Sequence, residues 1–85
     1  MKLPLIKTLS ERFDEDYLLE TIEVLEALAE VPSLKDKELG VIGELISNTL
    51  GAVEVIGIMR DSNGKKNAKE ASSEFMKRVI GSIDQ

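Results

Sequence analysis

The sequence predicts an all-α fold, a small antiparallel bundle of three main helices with a short helix at the N-terminus, completed by dimerisation. Three observations carry that expectation. Apolar residues recur at spacings of three and four in four successive stretches, and no convincing strand pattern interrupts them. The third stretch, Leu34 to Arg60 with Ser33 as its cap, has only Glu44 and Glu54 as charges between Leu39 and Met59, so it is expected to be largely hidden. The breaks between stretches are short and rich in cap and turn residues. Residues 1–85 are expected to form one domain, with no internal repeat, linker or low-complexity tract.

Met1 to Phe13 reads as a short helix. Pro4 suits a first helical position, where its missing N–H leaves nothing unpaired, and Leu5, Ile6, Leu9 and Phe13 share a face. Asp14, Glu15 and Asp16 then cap a second helix, about Glu15 to Val31, at the end where the helix dipole favours negative charge. Tyr17, Leu18, Ile22, Val24, Leu25, Leu28 and Ala29 are expected inside, with Asp16, Glu20, Glu23 and Glu30 outside. Pro32 disfavours a helical Val31, and Ser33 restarts the chain with Asp36 three residues on. So short a link makes helices two and three antiparallel neighbours.

Two stripes run along the third helix. One is Leu39, Ile42, Ile46, Thr49, Val53 and Ile56; the other is Val41, Leu45, Asn48, Ala52, Val55 and Met59. The remaining arc is small, with Gly40, Gly43, Ser47 and Gly51. An interior glycine weakens a helix by about 0.8 to 1 kcal/mol relative to alanine, so this run calls for the close approach of another backbone. At about 40 Å the helix is also too long for helices two and four to cover. A second copy is the expected cover, in a bundle of twofold symmetry. Gly43, Ser47, Gly51, Glu44 and Asn48 are the residues assigned to this helix packing or dimer interface. If Glu44, Ser47 and Asn48 are buried they need partners, since an unsatisfied buried polar group costs about 1 to 3 kcal/mol. Hydrogen bonds across the interface would then fix its register, as a buried asparagine does in coiled coils. The alternative is a small-ligand or catalytic site at Glu44 and Asn48.

Asp61, Ser62, Asn63 and Gly64 form a turn, with Gly64 suited to a left-handed cap. A fourth helix follows, about Lys65 to Ser82. Ala68, Ala71, Phe75, Met76, Val79, Ile80 and Ile83 make its apolar side, and Lys66, Lys69, Ser73 and Lys77 sit mostly away from it.

Composition narrows the chemistry. The chain has no cysteine and no histidine, which removes disulfides, thiolate ligands and the commonest general base. Glu20, Glu23, Glu26 and Glu30 lie at helical spacing, but carboxylate di-metal bundles add a Glu-x-x-His motif that is missing here, so no metal and no cofactor is expected. No nucleophile and base pair, phosphate loop or dinucleotide fingerprint occurs, and no catalytic residue is assigned. The net charge is −5. Residues 60 to 85 hold six basic side chains against four acidic ones, so residues 1 to 59 carry −7. That asymmetry suggests steering between acidic helix two and basic helix four; the alternative, nucleic acid on the basic C-terminal helix, lacks interleaved aromatics. With no secretory signal and no run near 18 apolar residues, a cytoplasmic protein without membrane contact is expected.

Met1-Lys2-Leu3-Pro4, Glu20-Thr21-Ile22-Glu23, Val31-Pro32-Ser33-Leu34, the run Val41-Ile42-Gly43-Glu44-Leu45-Ile46-Ser47-Asn48, and the tail Phe75-Met76-Lys77-Arg78-Val79 with Gly81-Ser82-Ile83-Asp84 resemble a family of small uncharacterised bacterial proteins. The resemblance covers nearly the whole chain and is weakest from Gly57 to Ser73. It implies a domain of unknown function and brings no catalytic or binding residue with it. The expectation is therefore a cytoplasmic homodimer acting as a protein-interaction or accessory module, with an unidentified protein as its partner.

Overall fold

A computed structural model describes residues 2–83, with side chains placed through Ile80. Met1 and Asp84, together with the side chain of Ile83, lie outside the described residues. The chain forms four helices and, among the described residues, no strand: α1 (Leu3–Arg12), α2 (Glu15–Ala29), α3 (Asp36–Asp61) and α4 (Ala68–Ile83). The all-α bundle read from the spacing of apolar residues is the fold of the protein.

Local chemistry sets the boundaries. Pro4 sits in the first turn of α1. Asp14 caps α2, its Oδ1 accepting from the Tyr17 N–H at 2.8 Å. Helix α3 starts at Asp36 instead of Leu34, because Glu38 Oε1 accepts from the Lys35 N–H at 2.9 Å and leaves Ser33 in the preceding turn. At its far end the Gly64 N–H donates to Met59 O and the Asn63 N–H to Arg60 O, the paired bonds of a Schellman cap. Asn63, at φ +57°, takes the left-handed position that the sequence assigns to Gly64, and Gly64 follows it at φ +79°. Helix α4 starts at Ala68 instead of Lys65. Asn67 Oδ1 accepts from the Glu70 N–H at 2.8 Å while Glu70 Oε1 accepts from the Asn67 N–H at 3.2 Å, a reciprocal capping box.

Helices α2 and α3 form an antiparallel hairpin. Arg60, at the end of α3, pairs with Glu15 at the start of α2, and Leu28 near the end of α2 shares a groove with Val41 and Ile42 near the start of α3. Helix α1 lies along α3 in the same direction, since the Lys2 N–H meets Asn48 and Ile6 meets Gly51. A Cβ on Gly51 would stand 2.8 Å from Ile6 Cδ1 and 3.4 Å from Phe75 Cε2, so this glycine is where α1 and α4 close on α3. Around it lies the core: Ile6, Leu18, Ala52, Val55, Ile58, Ala71 and Phe75.

That core occupies one end of the molecule, which corrects the expectation that α3 is largely hidden. The buried residues of α3 run from Asn48 to Ile58, and Leu39, Val41 and Leu45 are exposed. The cause is the placement of α1 and α4. Helix α1 begins level with Asn48, and α4 packs on the same half of α3, so neither reaches the first three turns. Tyr17, Val24 and Leu28 of α2 are exposed although their spacing suggests an inward face, because one neighbouring helix covers only the Leu18 and Ile22 side of α2; Leu5, Phe13 and Ile80 are exposed as well. Phe13 and Tyr17 instead stack on each other at the α1–α2 corner, ring centroids 5.2 Å apart. The result measures 45 × 31 × 18 Å, with a radius of gyration of 13.9 Å against about 12 Å for a compact chain of this length.

Candidate functional site

One sequence stripe on α3 lives in two environments. Asn48, Ala52 and Val55 are buried beneath α1 and α4, and Met59 packs on the core. Val41 and Leu45, the preceding members of the same stripe, are 57% and 44% exposed. Helix α2 repeats the division. Leu18 and Ile22 are buried and Leu25 and Ala29 half-buried toward α3, while Tyr17, Thr21, Val24, Leu28 and Val31, at spacings of four, three, four and three, form a second seam beside them. The two open seams meet. Leu28, Val31, Leu34, Val41 and Ile42 line an apolar groove of about 550 Å³, rimmed by Lys37 and Glu38. Toward α1 a separate, smaller apolar groove of about 320 Å³ lies between Leu5 and Leu9 of α1, Thr21 and Leu25 of α2, and Leu45 and Asn48 of α3.

The residues assigned from sequence fall beside this trough. Gly43, Glu44, Ser47 and Asn48 line one hollow of about 450 Å³ with Lys2 and Gly40. Gly51 does not join them; it lies one turn on, beneath Ile6 and Phe75. Glu44 and Ser47 are both exposed in the single chain. Asn48 is 6% exposed, and both ends of its amide are engaged: Oδ1 accepts from the Lys2 N–H at 2.8 Å and Nδ2 donates to Glu44 O at 2.8 Å. It thereby fastens the start of α1 to α3. Thr49 is bonded to the Leu45 carbonyl at 2.7 Å. Nothing stands within 4 Å of where a Cβ would be on Gly40 or Gly43. These two interior glycines weaken α3 by about 0.8 to 1 kcal/mol each, and no contact within the chain requires them.

Sequence reasoning missed Leu28, Val31 and Leu34 as an open surface. The signal was available in α2, where seven apolar positions at helical spacing divide into two seams and one neighbouring helix can cover only one of them. Charge elsewhere is settled locally. Glu74 pairs with Lys66 and Arg78, and the Lys66 hydrogen bond leads the causes that hold its carboxyl below the ordinary value of 4.5. No group of three or more metal-ligating side chains comes together among the described residues. Helix α3 is long and apolar enough to cross a membrane, and 33% of its most apolar window is buried in the chain.

Four helices joined by short links, with a packed core at one end and an open apolar trough at the other, define a small helical protein built on one central helix. The chain belongs to DUF6952, a family of unknown function whose model matches residues 1–84. The resemblance to a domain of unknown function is thereby borne out over almost the full length. No curated protein and no solved structure matches the chain.

Proposed function

We propose that the protein is a cytoplasmic homodimer that serves as a protein-interaction or accessory module. One observation carries this reading: the stripe that supplies Asn48, Ala52 and Val55 to the core continues as Val41 and Leu45 into solvent. Exposed apolar grooves of this kind mark an interaction surface. The hollow beside it supports a second reading, a small ligand at Glu44 and Asn48. Against that reading stands Asn48, whose amide is already bonded at both ends to backbone groups.

Sedimentation equilibrium over a wide concentration range, on the parent and on Asn48→Ala, is the test. A parent dimer, with lower stability in Asn48→Ala, is the expected result. A parent that stays monomeric at high micromolar concentration would refute the homodimer. A variant of unchanged stability that loses a ligand bound by the parent would favour the small-ligand site.

A further inference from the structure

We propose that the projecting half of the α2–α3 hairpin docks the same half of a second chain, the two α3 helices crossing antiparallel with Gly40 and Val41 beside the twofold axis. This rests on the homodimeric reading and adds the surface and its geometry.

Area gives the first argument. The chain exposes 6105 Å², whereas a compact monomer of its 9.4 kDa exposes about 5,000 Å². The excess, about 1,100 Å², matches the share that each partner contributes to a stable interface, about 800 Å² or somewhat more. On the projecting half of the hairpin Val24, Leu28, Val31, Leu39, Val41 and Leu45 are all exposed, and they supply an apolar share of that area.

Charge names the occupant. Lys37 and Glu44 lie two turns apart on one face of α3, with Gly40 and Val41 between them. A twofold axis beside Gly40 and Val41 sets Lys37 of each chain against Glu44 of the other, so one surface supplies both halves of two ion pairs. The same register carries Leu45 of each chain to the Leu34 end of the other's groove and brings Gly40 against Val41 across the axis. Nothing outside its own stretch of helix stands within 4 Å of where a Cβ would be on Gly40, and a helix that crosses here gives its bare backbone a use. The rim of the trough and hollow carries Lys2, Lys37, Glu38 and Glu44, two charges of each sign, so this face of a −5 chain does not repel its own copy.

The chain lacks cysteine, so single replacements report geometry without background. Under mild oxidation Gly40→Cys is expected to form a covalent dimer at least about tenfold faster than Ile80→Cys, since a disulfide needs Cα atoms within about 7 Å. Lys37→Glu and Glu44→Lys should each weaken dimerisation in sedimentation about tenfold, and the double exchange should restore it. A parent dimer that cross-links at Ile80 and not at Gly40, or that ignores both charge reversals, would overturn this geometry and leave the homodimer standing. A monomeric parent would overturn both: one that floats with phosphatidylcholine vesicles would assign the face to lipid, and one that does not would assign it to a different protein.

Discussion

A buried hydroxyl without a partner costs about 1 to 3 kcal/mol, and Ser72 is such a group, 1% exposed on α4 with no hydrogen-bond partner for its Oγ among the described residues. Ser72→Ala removes the orphan oxygen and installs the best helix former at little loss of volume. The variant is expected to gain about 1 kcal/mol in urea unfolding; a loss of stability would show that the hydroxyl is satisfied in solution. Asn48 is the opposite case, equally hidden but bonded at both ends, and there a truncation leaves the start of α1 loose. Glu74 adds a pH dependence. Its folded carboxyl titrates below the ordinary value of 4.5, chiefly through the Lys66 hydrogen bond, so its stabilising contribution is present above that value and is lost as pH falls through the depressed one. Unfolding measured from neutral pH downward should therefore show the parent losing its advantage over Glu74→Gln below pH 4.5. Parallel curves for the two proteins would refute the assignment.

At the scale of helices, caps and spacing were legible, and extent of cover was not. Pro4, Asp14 and Pro32 mark their boundaries correctly because each acts on the backbone within three residues. Ser33 and Lys65 mislead because other chemistry competes a few residues on, Glu38 for one start and the Asn67–Glu70 box for the other. The competition makes a paired prediction: Asn67→Ala should cost about 1 kcal/mol, while Ser33→Ala should change stability by less than about 0.5 kcal/mol, both read by chemical denaturation. Equal losses would mean that Ser33 caps α3 in solution. The glycines make the limit of sequence reading plain. Gly43 and Gly51 share a stripe and look alike in the sequence, yet Gly51 is closed over by Ile6 and Phe75 while Gly43 faces open space. Which level of α3 the first helix reaches depends on the loop at Phe13 and Asp14 and on where Asn48 catches Lys2, and residue spacing holds no record of either. The candidate face was therefore only half legible. The small stripe could be read, and the second seam of α2 hinted at an open face, but that Leu28, Val31 and Leu34 form a groove with Val41 and Ile42 follows only from how α1 and α4 leave the start of α3 uncovered.

For the molecule as a whole, a chain of 85 residues without disulfides depends on its core, and it lies just above the size, about 80 residues, below which such cores rarely supply more than about 3 to 5 kcal/mol. This one is thin for its length. Among the described residues three of the nine buried apolar ones are alanines, Ala52, Ala68 and Ala71, while Val24, Val41 and Leu45 stand in solvent. Closing the hairpin trough against a second chain would hide those larger side chains, at about 1.5 to 3 kcal/mol for each one fully buried. Unfolding and dissociation are then expected to be a single event, which makes stability depend on concentration by mass action. Denaturant unfolding at two concentrations a hundredfold apart should place the midpoints about 2.7 kcal/mol apart in free energy, with an unchanged slope. A dimer that dissociates into folded monomers predicts something else, a slope that falls at high dilution as a second transition separates. Midpoints independent of concentration would mean that the end built around Gly51, Ile6 and Phe75 holds each chain folded alone and leaves the trough open for a partner of another kind.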